Sequence, residues 1–145
     1  MMIEPHLHRP HVRELVIGET AGPIPVLAIL LWNPSRILAR PGQRFLIETD
    51  DSVWTDDGLP ATAAGLPGHG IQRFTAAMCR NKNAGWLELV GALGRDSDDH
   101  FRVGKGTVWE NKTGNEAELF FYANDVYFMY FNNAGSVMVT VTRLA

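Results

Sequence analysis

Cysteine is nearly absent: Cys79 stands alone in the 145-residue chain, so no intrachain disulfide can form. The fold must hold by burial and backbone pairing, which suits a reducing compartment. Cys79 itself is expected as a small buried hydrophobe rather than a nucleophile. Basic runs are lacking as well. The Lys and Arg residues are outnumbered by Asp and Glu, leaving a net charge of −3, whereas a nucleic-acid binder carries a basic patch or stripe. Nor does any cluster offer a polybasic membrane tether. The apolar run from Val26 to Trp32 is too short to cross a bilayer and reads as a buried strand, so no membrane insertion is expected. The first residues, Met1 to Arg13, hold three histidines and no apolar core, unlike a secretory signal. Cytoplasmic synthesis is expected, with non-classical export to the cell surface left open. No Ser-centred elbow, phosphate loop or zinc motif is present.

Proline and glycine punctuate the chain at short intervals, and long helical periods, repeats and low-complexity tracts are missing. Between the breakers lie short apolar or alternating runs. Val12 to Ile17, Val26 to Trp32, Arg44 to Thr49, Trp86 to Leu93, Glu118 to Ala123 and Ser136 to Leu144 all read as strands. Phe101 to Val103 and Thr107 to Trp109 are shorter candidates, and Gln72 to Arg80 suits a short helix or an irregular crossover. Many short strands between turns predict an all-β sandwich or barrel. The last strand is the clearest: Val137, Val139 and Val141 point one way, Met138, Thr140 and Thr142 the other. We expect a flexible tail over 1–11 and one domain over 12–145, long enough to bury a core.

One segment carries chemistry. Asn124-Asp125-Val126 is followed by Tyr-Phe-Met-Tyr-Phe and then by Asn132-Asn133, before a turn at Gly135. Asp and Asn side chains present hard oxygen donors without bulk. Several of them on one loop match what calcium requires, about six to eight oxygens in flexible geometry. A polar hairpin loop is the competing reading, because both residue types bond their own backbone in turns.

This segment resembles the calcium loop of the PA-IL-type calcium-dependent galactophilic lectins. In that family Asn-Asp-Val precedes a short loop, then Asn-Asn-x-Gly-Ser and a final strand. Asn124, Asp125, Val126, Tyr130, Asn132, Asn133, Gly135 and Ser136 fall in register. Leu89 to Gly94 resembles the family's central strand, and Val103-Gly104 and Leu119 to Ala123 follow in order. The resemblance covers the C-terminal half. It implies a jelly-roll-like antiparallel β-sandwich, a bound calcium ion, and non-catalytic binding of carbohydrate, galactosides first. The ion would be held by Asp125, Asn132 and Asn133, by the main-chain carbonyl of Met129 (where the family usually has Thr), and by a second main-chain carbonyl from a distant loop near Asp57. There a carboxylate of Asp56 or Asp57 is the alternative donor. Sugar hydroxyls would meet Asp125, Asn132 and Asn133. His69, close to Gln72, lies in the region that supplies the family's other polar contacts. Aromatic faces cover sugar rings, and Tyr127 and Phe128 are assigned that role, with Trp54, Tyr130 and Phe131 as further candidates. The resemblance also implies a symmetric homo-oligomer, which would raise avidity.

The aromatic loop departs from the family, whose loop is rich in Gly and Pro. That departure supports an alternative function, a lectin-like scaffold acting as a protein interaction or assembly module without sugar binding. Weaker patterns elsewhere read as ordinary surface. His6, His8 and His11 sit in the tail, and Asp96, Asp98 and Asp99 form a solvated acidic turn. Glu48, Asp50 and Asp51 have no spacing that demands a glycosidase pair. No enzyme activity is expected.

Overall fold

The computed structural model describes residues 12–66, 78–95 and 98–145. The tail and its histidines, Asp96, and His69 with Gln72 lie outside them. Among the described residues ten strands form two antiparallel sheets packed face to face, the expected all-β sandwich. Strand β10 (Asn133–Arg143) is the hub of the larger sheet. One of its edges pairs with β1 (Thr20–Leu27); β3 (Arg44–Thr49) and β4 (Trp54–Asp56) take successive stretches of the other. Beyond them lie β8 (Gly106–Glu110) and β5 (Leu59–Ala61). The smaller sheet runs β2 (Asn33–Ala39), β9 (Ala117–Ala123), β6 (Leu89–Leu93), β7 (His100–Arg102).

Alternation in β10 places Val137, Val139 and Val141 in the core against Phe45 and Ile47 from one sheet and Leu89, Leu119 and Phe121 from the other. Strands β6 and β9 are buried along nearly their whole length because both of their faces are covered. Their outer face, Val90, Ala92 and Tyr122, packs under Trp32 and Ala84. Covering both faces produces a continuous apolar run in place of alternation.

Several expected strands take another form. Val12 to Ile17 forms only an isolated bridge, Arg13 to Ile37, and Val16 and Ile17 are exposed. The run from Val26 turns at Ala28, and Ile29, Leu30 and Leu31 face outward. Gly135 lies within β10 rather than at a turn. Its φ is +86°, and a Cβ there would come within 3.0 Å of the Trp54 Cα and the Val53 carbonyl oxygen. Glycine therefore allows the close β10–β4 pairing that sets Asn133 opposite Asp56.

Candidate functional site

A 3-10 helix, Tyr127–Asn132, joins β9 to β10, so the segment singled out in the sequence spans the end of one sheet and the start of the hub strand of the other. Asn124 fixes its approach. This fully buried residue donates from its side chain to the carbonyls of Asn81 (2.9 Å), Ala84 (3.2 Å) and Gly85 (2.9 Å). Its Oδ1 accepts the Asn81 N–H at 2.9 Å. The next residue is tied to the same segment, since the Asp125 carbonyl accepts the Arg80 N–H at 3.0 Å. Asn124 is thus a scaffold residue. Asn124→Ala is expected to cost about 3 kcal/mol, because it strands several buried carbonyls and one N–H without partners. Urea unfolding of the metal-free protein measures this directly, and a loss under about 1 kcal/mol would contradict the role.

Asp125 is completely buried. Its Oδ1 accepts the Val126 N–H at 2.7 Å, while Oδ2 has no partner. Burial pushes its pKa up to about 6, offset in part by the Val126 N–H and the Asn133 amide, with the nearby Asp56 adding a further rise. Asp56 is also buried. Its Oδ2 accepts the Trp86 indole N–H at 2.6 Å, and its pKa too is raised, chiefly by desolvation. Two buried carboxylates therefore sit close together with no cationic side chain bonded to either among the described residues.

Asn132 closes the cluster. Two orientations are open to its amide. In one, the nitrogen donates to the Met129 carbonyl at 2.7 Å and to Asp56 Oδ1 at 3.0 Å. The other would set its oxygen against these same two acceptors with no donor between them, so the first is the one the structure supports. Asn133, buried, donates to the Ala28 carbonyl at 3.0 Å. The residues fit calcium: two buried carboxylates and the Met129 main-chain carbonyl gather around the Asn132 amide, and one buried carboxylate oxygen lacks any partner. Among the described residues no group of three or more His, Cys, Asp or Glu is placed to hold a metal ion, so the donor set here rests on two carboxylates with amide and main-chain groups.

The structure brings together Asp125, Met129, Asn132 and Asn133. Asp57 flanks them: its side chain is exposed in the β4–β5 turn at φ +50°, and its N–H donates to the Asn132 carbonyl at 2.9 Å. The carboxylate at the cluster belongs to its neighbour Asp56. Tyr127 and Phe128 stand exposed on the helix beside the cluster, as does Phe131. Tyr130 turns inward, its hydroxyl bonded to the Ala123 carbonyl, and burial raises its pKa. Trp54 is wholly buried and donates to the Leu87 carbonyl at 3.0 Å, which makes it core and not a sugar platform. Cys79 is buried, its pKa pushed up to about 12 by burial and by the charges of Asp125 and Asp56, as an unreactive thiol would be.

Trp86 and Arg80 were not legible as site neighbours. Each lies far along the chain from its partners, and neither sits in a recognisable local pattern.

No family model matches this chain, and no curated protein matches it. Among solved structures it is similar to "EclA N-terminal domain; PllA-like lectin", with a TM-score of 0.59 and 19% sequence identity over 86% of this chain and 94% of that one. At that identity the likeness concerns the fold. The chain has the two-sheet sandwich of a lectin domain.

Proposed function

We propose that this protein is a non-catalytic lectin that binds carbohydrate through a calcium ion, with galactosides as its first ligand class. The observation that carries the reading is the convergence of Asp125, Asp56, Asn132 and the Met129 carbonyl, with one buried carboxylate oxygen unpartnered, at the end of a lectin-like sandwich. Calcium bound there would supply open coordination positions for two neighbouring hydroxyls of a pyranose. The carboxylates hold the ion's charge. The half-buried Asn132 amide can accept or donate hydrogen bonds to the same hydroxyls, which makes stereochemistry count, whereas Asp125 and Asn133 are buried and would act through the ion. Exposed Tyr127 and Phe128 are placed to cover a ring face.

Titration calorimetry with an aryl galactoside is expected to give weak binding, in the millimolar to micromolar range, that a chelator abolishes and added calcium restores. Silence toward the sugar in protein that does bind calcium would sink the galactoside reading.

A second reading has its own support. Phe128 and Phe131 are 71% and 73% exposed, and Ile29, Leu30 and Leu31 stand exposed on a loop whose Ala28 carbonyl accepts from Asn133. Apolar surface rimmed by polar residues suits a protein interface. On that reading the scaffold is an assembly module, which would also supply the contact for a homo-oligomer.

A further inference from the structure

Beside the oxygen cluster, on the outer face of the smaller sheet, lies an open concavity of about 500 Å³ lined by Trp32, Arg80, Lys82, Arg95, His100 and Tyr127. Its charge is opposite to that of the cluster. Arg80 lies with its guanidinium carbon 3.6 Å from the centre of the Tyr122 ring, 4.6 Å from that of Trp32 and 4.8 Å from that of Tyr127. One of its nitrogens donates to the Leu31 carbonyl at 2.6 Å and to the Tyr130 hydroxyl at 3.0 Å, while Nε and Nη2 are buried without hydrogen-bond partners. Arg95 approaches the same indole, its guanidinium carbon 5.9 Å from the Trp32 ring.

Two guanidiniums thus share one tryptophan, with Lys82 on the same wall. Among the described residues none of these three cations makes an ion pair. The acidic residue in the lining is Asp98, which is exposed. Gathering three cations around one exposed acid is unfavourable, and an anion seated among them would relieve it. A guanidinium held flat by aromatic rings is also pre-organised to meet the oxygens of a carboxylate or sulfate.

The concavity is joined to the candidate sugar site through two residues. Tyr127 lines it and begins the helix that carries the Met129 carbonyl and Asn132. The Arg80 N–H donates to the Asp125 carbonyl. A saccharide held at the half-buried Asn132 and reaching past Tyr127 would meet the cationic wall. The space falls within the usual range for a ligand pocket. We infer that the glycan recognised by this protein is acidic, carrying a carboxylate or sulfate group that binds between Arg80, Lys82 and Arg95. The inference rests on the lectin reading above and adds the class of its ligand.

The test is calorimetry in calcium with sulfated and carboxylated galactosides, each beside its neutral parent, on the wild type and on Lys82→Gln/Arg95→Gln. Both residues stand at the surface, so the variant spares the fold, whereas Arg80 is stacked into the structure. Acidic galactosides are expected to bind about tenfold more tightly than their neutral parents, as one ionic hydrogen bond would give. The double variant should erase that preference and leave the neutral parent unchanged, and added salt should weaken it. Acidic and neutral sugars binding alike, or a preference that survives the double variant, would overturn the acidic subsite while the lectin reading stood. Inorganic sulfate matching a sulfated galactoside in affinity would make the pocket a free-anion site, against the inference. Single-stranded RNA bound through these cations, with no preference among glycans, would overturn it as well. If no glycan binds, acidic or neutral, the lectin reading itself fails.

Discussion

Calcium added to metal-stripped protein is expected to raise its melting temperature by about 10 °C at a calcium concentration a thousandfold above its dissociation constant. Binding only to the folded state contributes about 4 kcal/mol under those conditions, and a domain of this size gains a few degrees for each. The rise should depend on pH, with a definite sign. Burial sets the Asp125 pKa at about 6, above the 3.8 of a free side chain. In the metal-free protein the folded state therefore holds a proton that the unfolded chain releases near pH 4. That contribution to stability is complete below about pH 4 and is lost as pH rises through about 6. By neutral pH the ionised group costs about 3 kcal/mol. Calcium needs the ionised form, so the gap between the melting curves with and without the ion should widen from about pH 5 to pH 7. Asp125→Asn should melt higher than the wild type when metal-free at neutral pH, lose the pH dependence, and ignore calcium. A wild-type curve that calcium does not move would falsify the metal assignment.

The second large effect separates two adjacent residues. Asp56→Asn is expected to weaken calcium about a hundredfold, because it removes one of two charges from the cluster and changes a donor set that affinity follows closely. Asp57→Asn should change affinity by less than about twofold, since the Asp57 side chain is exposed and Asn accepts its positive φ as readily. The Asp57 N–H that holds the Asn132 carbonyl survives that change. Calorimetry on both variants decides the matter. A large loss at Asp57 with little at Asp56 would make the Asp57 carboxylate the donor in place of that of Asp56.

Sequence and structure agree best where side-chain period and burial follow one another. The final strand is the simplest case: three valines at alternate positions are all fully buried, and their neighbours are not. Strand β2 shows the reverse. Its inward positions are Asn33, Ser35, Ile37 and Ala39, so half of the buried face is polar. Those groups are satisfied by partners distant in sequence, Asn33 by the carbonyls of Leu27 and Phe121, and locally in the case of Ser35 by the Ile37 N–H. No apolar alternation exists there to be read. The exposed Ile29-Leu30-Leu31 misleads in the opposite direction, since a continuous apolar run resembles a buried strand whether or not anything covers it.

By itself the sequence determined the all-β class, the last strand and its inward face, and the oxygen-rich segment from Asn124 to Asn133. Each depends on residue type, spacing or a local pattern, which a linear text preserves. The tertiary structure alone decided which donors meet. It drew the carboxylate of Asp56 rather than that of Asp57 to the Asn132 amide, because strand pairing at Asn133 fixes which of two neighbouring side chains faces inward and which turns out to solvent. It buried Asp125 with one oxygen unpartnered and turned Asn124 into scaffold. It also gathered Trp32, Arg80 and Arg95 from three separate stretches of chain onto one surface. Charge and hydrogen-bond partners are properties of distance in space, and in a sandwich of long-range pairings neighbours in space are seldom neighbours in sequence.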